Sequence, residues 1–525
     1  MQVLKSVEGL QCSLEHRRHP MDQGPFKQLT VGLVPTMGAL HQGHMSLIER
    51  ARRENDLVVV SIFVNPLQFS PGEDFHDYPR MFSQDIKCCE NVGVDIVFMP
   101  TADKLYRSHT DAKKTTLVVP PANMTQVMCG QFRPGHFEGV ATVVTKLLSL
   151  VRPSRTYFGQ KDAQQLAILK RVVEDLNLPG QLIGCPIIRD DHGLALSSRN
   201  QYLNQEERTQ AARLFAGLSA AKTQFSQGER QADVLIATVH SILAKTPKIK
   251  PQYVELVDPE TLTPLERITT SGLLGVAAYV GTTRLIDNIL LRARRPIIAI
   301  DGPAGAGKST VARQIAHRLK LLYLDSGAMY RAVTWLVLER GLSPRDEVAI
   351  AELIQDCTLH LAPTGDEPEL AAYPSRIWIN DQEVTQAIRS EAVTSQVSTI
   401  AAQPAVRQRL LHLQQQYGAQ GGVVMEGRDI GTEVFPEAEL KIFLTASVGE
   451  RARRRQRDLE AQNQPAINLE HLERAIDERD RKDSTRRVAP LRKAADAIEI
   501  NTDGLTIEDV ITKIMTLFHQ RNADT

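Results

Sequence analysis

The sequence predicts an α/β protein built from two successive folds, each a parallel sheet covered by helices. Apolar runs short enough for buried strands alternate with amphipathic stretches through the first 290 residues. A new apolar run leading into a glycine-rich loop begins only near residue 297, after a basic stretch that breaks the pattern. Length agrees, because 525 residues exceed what one hydrophobic core supports.

In chain order, Leu33 to Pro35, Leu57 to Phe63 and Asp95 to Phe98 read as strands, with amphipathic stretches such as Met45 to Glu54 between them. After residue 187 the texture changes. Asn204 to Lys245 is largely helical, while Tyr253 to Val257, Gly272 to Val280 and Ile286 to Leu291 read as short strands, which gives residues 188–290 the pattern of a smaller α+β subdomain. Residues 291–295 are a short linker, and 296–525 form the second fold. Leu361 to Pro374 is poorly patterned and reads as a surface loop or small insertion.

Composition narrows the function classes. Lys plus Arg and Asp plus Glu balance at 62 each, so no polyanionic partner is expected. The basic run Arg451 to Arg457 suits a small phosphate ligand rather than nucleic acid. Six cysteines with no CxxC pair and no zinc spacing read as cytosolic thiols. The N-terminus lacks the apolar core of a signal peptide and nowhere do 18 apolar residues run together, so a soluble cytoplasmic protein without membrane contact is expected.

Gly302-Pro303-Ala304-Gly305-Ala306-Gly307-Lys308-Ser309-Thr310 follows a strand-like run and opens a helical pattern from Val311 to Leu319. That is the phosphate-binding P-loop in its required setting. Small residues let backbone N–H groups approach ATP phosphates, Lys308 supplies a cation, and the Ser309 hydroxyl is a Mg²⁺ ligand. Beyond it stand Leu324 to Arg331, Val423 to Gly431 and Asp477 to Arg486, with arginines beside each turn, as a second phosphate-bearing substrate requires. In order and spacing these motifs resemble bacterial cytidylate kinase over residues 296 to 521.

The resemblance implies transfer of the γ-phosphoryl of ATP to CMP or dCMP. It places Ser326, Arg331 and Arg428 at the acceptor phosphate, and Ser398, Arg407 and Asp429 near the base. Arg479 and Asp483 would meet the ribose and Arg486 the phosphates, with Arg451 to Arg457 in a mobile lid. Asn501 departs from the family pattern, where Asp is usual.

In the first fold, Pro35-Thr36-Met37-Gly38-Ala39-Leu40-His41-Gln42-Gly43-His44 stands between a strand and a helix. Two histidines three apart at a helix start can be a metal pair, capping groups or an anion site. No third ligand sits at obvious metal spacing, and small residues at a helix N-terminus favour an anion. Phe158 to Gln165 and Leu196-Ser197-Ser198-Arg199-Asn200 add cations and hydroxyls, and Asn65 to Phe69 and Arg133 to Phe137 complete an ordered set. Together they resemble pantothenate synthetase, a ligase of the nucleotidyltransferase superfamily, over roughly residues 1 to 290.

This second resemblance implies a Rossmann-like fold and two steps, in which pantoate attacks the α-phosphorus of ATP and β-alanine then attacks the pantoyl adenylate. It assigns ATP contacts to Met37, Gly38, Ala39, Leu40, His41, Gln42, Gly43, His44, Gly159, Gln160, Lys161, Asp162, Ile188 and Leu196 to Arg199. Pantoate would lie between Gln68 and Gln165. His41, His44, Lys161, Ser197, Ser198 and Arg199 would stabilise charge growing on the phosphates, with His44 as proposed proton donor. Homo-oligomerisation through this fold is implied as well.

Overall fold

The computed structural model describes all residues except 19–28, 71, 108–114, 363–374, 462–467, 487 and 525, and the side chains of 458, 461 and 521–524. It divides into two compact units, Met1–Ala293 and Arg294–Thr525.

In the first unit six strands form one parallel sheet: β1 (Gln2–Leu4), β2 (Val31–Thr36), β3 (Leu57–Ile62), β4 (Ile96–Phe98), β5 (Arg155–Gly159) and β6 (Gln181–Cys185), in the order β1-β4-β3-β2-β5-β6. Every residue of β3 is buried, as a strand covered on both faces must be. One face packs Val140, Val144 and Leu148 of helix His136–Val151, and the other packs Leu47, Ile48 and Ala51 of helix Gln42–Glu54. The chain winds outward in both directions from the adjacent β2 and β5, so the crevice at their carboxyl ends is the expected binding place.

The smaller subdomain is an antiparallel sheet of β7 (Ile249–Val257), β8 (Ser271–Val280) and β9 (Thr283–Arg292) against helices Arg213–Ser226 and Ala232–Leu243. Two of its strands are longer than their apolar patterns. β7 begins at Ile249 because the ladder shifts register at Pro251/Tyr253, where a residue without an N–H donor is tolerated. β9 begins at Thr283 because Gly281, at φ 60°, closes a tight hairpin with β8. Residues 291–295, expected as a linker, are mostly strand: β9 runs to Arg292 and β10 starts at Arg295.

The second unit has β10 (Arg295–Asp301), β11 (Leu322–Asp325), β12 (Leu359–Ala362), β13 (Arg376–Ile379), β14 (Gln382–Glu383), β15 (Gly421–Gly427), β16 (Leu440–Thr445) and β17 (Ile498–Asn501). Five of them make a parallel sheet in the order β11-β15-β10-β16-β17, and β12-β13-β14 make a small antiparallel one. Of the stretch read as a loop, Leu361 and Ala362 belong to β12 and the rest lies outside the described residues. Helix Lys308–Leu319 covers one face and helix Ser326–Glu339 the other. No helix among the described residues is long and apolar enough to cross a membrane.

Candidate active sites

Each unit builds its site at the carboxyl ends of its central strands. In the first, β2 delivers the turn Met37–Leu40. Gly38 has φ 84° and Ala39 φ 51°, and the buried Asp85 carboxylate holds this left-handed turn by accepting from Ala39 N at 3.0 Å and Leu40 N at 2.8 Å. His41 then caps helix Gln42–Glu54. Its Nδ1 accepts from Gly43 N at 3.1 Å, and His44 Nδ1 accepts from His41 N at 3.4 Å. Capping and site placement are thus the same arrangement. With both Nδ1 atoms accepting, each neutral ring carries its proton on Nε2.

Burial and the neighbouring Lys161 lower His41 to about 4, and burial, His41 and Lys161 lower His44 to about 3. Without an anion both rings are neutral donors at pH 7, and His44 offers Nε2–H rather than an imidazolium proton. Lys161 and Asp162 follow β5 in a short turn held from the subdomain, where buried Asn288 Nδ2 donates to Gln160 O at 3.0 Å and Lys161 O at 2.9 Å. Ser198 Oγ donates to Ala39 O at 3.2 Å and so ties segment 197–199 to the β2 turn, while Leu196 N reaches Ile188 O at 2.9 Å.

A pocket gathers Lys161, Asp162, Gln165, Ser197 and Arg199 with Arg133 and His136. The two glutamines of Gln164-Gln165 separate in role. Gln164 is buried and spends its amide on Cys129 N, Met124 O and Val127 O. Buried Gln68 faces Met37 Sδ and accepts from Asn65 Nδ2 at 3.2 Å, one step from His136, whose Nδ1 lies 2.7 Å from Gln68 O. Burial and Arg133 lower His136 to about 3.

These three histidines titrate near 6.5 in an unfolded chain and near 3 to 4 in the folded one. Their stabilising contribution is therefore complete above pH 6.5 and is lost as pH falls toward 4, by about 1–2 kcal/mol each between pH 7 and 5. Buried Asp301 in the second unit has the opposite sign. Burial, opposed by the N–H groups of Gly431 and Ile430, pushes it up to about 6, which favours the folded state as pH falls through that value. Heating the chain at pH 7 and 5 and assaying both activities after return to pH 7 should show the first unit's heat-inactivation midpoint falling by several degrees more than the second's. Equal shifts would contradict this account.

In the second unit β10 ends in the P-loop. A Cβ on Gly302 would lie 2.1 Å from Leu444 O, and Gly307 caps helix Lys308–Leu319 at φ 87°, so both positions require glycine. Buried Lys308 Nζ donates to Pro303 O at 2.8 Å. Burial and Arg428 lower its pKa, while Glu426 and Asp301 oppose them. The neighbouring β15 carries Glu426 and Gly427 at its end and leads into Arg428-Asp429. Burial and the nearby Asp325 raise Glu426, which accepts from Tyr323 Oη at 2.5 Å and lies near the Ser309 hydroxyl.

The remaining expected residues are mostly paired with one another. Arg331 meets Asp325 at 3.0 Å, and Arg428 Nε meets Asp483 at 2.9 Å. Asp429 sits between Arg407 and, at 3.5 Å, Arg486. Ser326 Oγ donates to Glu426 O at 2.7 Å. Arg479 contributes positive charge beside Lys308. Ser398 is exposed on helix Glu391–Ala401, and among the described residues no hydrogen bond joins it to the Arg407–Asp429 pair.

The arginine run also divides. Arg451 is buried, donates to Ala304 O at 3.1 Å and pairs with Asp480 at 2.6 Å, pinning helix Val448–Ala461 to the P-loop. Arg454 holds Thr502 O at 2.9 Å, and Arg453 and Arg457 are exposed beside Glu450. Sequence reading did not single out Glu426, Asp301, Asp85 or Asn288. Glu426 and Asp301 each close a buried strand beside a motif already chosen, and that position was the available signal.

Comparison with known proteins gives a concordant result. A model of the family described as pantoate-beta-alanine ligase matches residues 2–290, and one described as cytidylate kinase matches residues 298–520. A bifunctional pantoate ligase/cytidylate kinase of Trichormus variabilis is 55% identical, with 99% of each chain covered. Another, of Thermosynechococcus vestitus, is 56% identical over 99% of this chain and 98% of the relative. The crystal structure of a pantothenate synthetase from Thermus thermophilus is similar at 42% identity and TM-score 0.51, covering 55% of this chain and 99% of that one.

Proposed function

Because this chain belongs to the bifunctional pantoate ligase/cytidylate kinase family, joining pantoate to β-alanine in one unit and phosphorylating CMP in the other, we propose how its own residues divide that work. For the ligase the reading rests on one observation: His41 and His44 follow β2, Lys161 follows the adjacent β5, and Ser198 ties the third segment to the first. ATP lies across this crevice with its phosphates toward His41, His44, Lys161, Ser197, Ser198 and Arg199. The pantoate carboxylate, held between Gln68 and Gln165, attacks the α-phosphorus and pyrophosphate leaves.

Negative charge grows on the α-phosphate and the leaving group. Lys161 and Arg199 offset it as cations, and the two imidazoles donate Nε2–H from fixed positions, so neither ring reorients as the reaction proceeds. β-Alanine then attacks the acyl carbon of the adenylate and releases AMP. Because one pantoate oxygen stays on phosphorus, ¹⁸O-carboxylate pantoate should give ¹⁸O-labelled AMP by mass spectrometry. In the same assay His44→Ala should lower the rate of adenylate formation by roughly 10²-fold or more. Unlabelled AMP would rule out direct attack, and an equally fast His44→Ala would reduce His44 to a helix cap.

For the kinase, the P-loop amides and Lys308 bind the ATP phosphates. Ser326, Arg331 and Arg428 receive the phosphate of CMP, Arg479 and Asp483 the ribose, Arg486 the phosphates, and Arg407 and Asp429 the base. Mg²⁺ fits the donor set beside Lys308, where the Ser309 hydroxyl and the Glu426 carboxylate are hard oxygen ligands, and there it would neutralise phosphate charge. We also infer that the ligase unit associates with a second copy.

A further inference from the structure

Two acidic neighbours in the ligase unit, Glu73 and Asp74, each take hold of a different pocket arginine. Glu73 forms a bidentate pair with Arg133, at 2.7 Å to Nε and 2.6 Å to Nη2. Asp74 does the same with Arg199, at 2.9 Å to Nε and 2.7 Å to Nη2. The arginines lie on separate segments, and both line the pocket with Lys161 and Gln165.

The two pairs are not equivalent. His136 Nδ1 lies 2.7 Å from Gln68 O, which can only accept, so the neutral ring carries its proton there and Nε2 accepts from Arg133 Nη1 at 3.0 Å. All three Arg133 nitrogens are therefore engaged, and this pair anchors the loop. The Asp74 pair uses only the Nε–Nη2 edge of Arg199. Further contacts fix the same loop to the segment that carries Arg199: Tyr202 Oη donates to Asp77 O at 3.0 Å, and the Arg199 guanidinium lies 6.0 Å from the Tyr78 ring centroid. Phe69 packs edge-on against Phe75 and Tyr78 at its base.

We propose that Asp74 is a positioning residue for adenylate formation: held by the Glu73–Arg133 anchor, it fixes the Arg199 guanidinium so that its remaining edge meets the polyphosphate of ATP. The inference rests on the assignment of Arg199 to the phosphates. A long cation free to rotate would have to be ordered at each turnover, whereas a bidentate carboxylate holds the planar fork in one orientation beforehand. Burial pushes the Asp74 carboxyl up, but the hydrogen bonds and charge of Arg199, together with a backbone N–H and the charge of Arg133, bring it below the usual carboxylate range, so the pair stays charged.

The test measures pyrophosphate release by the full-length chain, with CMP phosphorylation followed in parallel. Asp74→Asn keeps the shape and one acceptor but removes the charge and the second acceptor. It should lower kcat for adenylate formation by ~10- to 100-fold while changing the KM for ATP by less than about threefold. Asp74→Glu should recover much of that loss, and kinase activity should not move. In an Arg199→Lys background Asp74→Asn should add little, because its effect runs through Arg199. Three outcomes overturn the proposal: an unchanged kcat in Asp74→Asn, a lower KM for ATP at constant kcat, which would make Asp74 a competing counter-ion, or independent, multiplying losses in the double variant. If Arg199→Lys alone has no effect, the assignment of Arg199 to the phosphates fails instead.

Discussion

Lys308→Ala should lower CMP phosphorylation by about 10³-fold or more while pantothenate formation by the same chain stays within about twofold. The ammonium lies buried in the bend of the P-loop, where its charge would meet phosphate with little competing solvent. Alanine removes that charge and leaves Asp301 and Glu426 without their nearby cation, so Lys308→Met, which keeps the apolar volume, is the companion variant. ADP release with CMP and pantothenate release with pantoate and β-alanine are measured on one preparation. The reciprocal variant, Lys161→Ala, should cost the ligase and spare the kinase. Loss of both activities in either variant would mean that the sites are energetically coupled, against the separate cores of Met1–Ala293 and Arg294–Thr525.

The second large effect concerns base choice. We propose that the Asp429 carboxylate accepts a hydrogen bond from the exocyclic amine of cytosine. Uracil has an oxygen at that position, so two acceptors would face each other in a buried site, a mismatch that can discriminate by several powers of ten. Asp429 is buried between Arg407 and Arg486, so truncation to alanine would also strand two cations. Asn is the sharper substitution, because its oxygen can still accept from Arg407 while its amide nitrogen can donate to the uracil oxygen. Asp429→Asn should cut kcat/KM for CMP by roughly 10²-fold or more, leave UMP equal or improved, and collapse the CMP/UMP ratio. If both substrates slow equally, Asp429 only orders the two arginines and the base is read by other groups, Arg407 and Ser398 first among them.

The chain's periodicity and its strand–turn–helix motifs determined by themselves that there are two successive α/β folds. They also singled out Gly302–Thr310 and Pro35–His44, each a strand-to-helix turn of nine or ten consecutive residues. Such turns are legible because each is a local backbone shape, fixed by which residues can turn. Strand lengths were less so, since β7 and β9 extend through Pro251 and Arg284 on the strength of ladder pairing rather than side-chain pattern.

Only the tertiary structure decided how the charged groups are used. It turns one run of arginines into a buried P-loop anchor at Arg451 and exposed partners of Glu450 at Arg453 and Arg457. It brings Asp74 to Arg199 across 125 residues and sets Glu426 beside Lys308. It also holds His41 and His44 neutral, with the proton on Nε2. Charge state and ion pairing follow from desolvation and from neighbours distant in sequence, and both come into being only when the sheets pack.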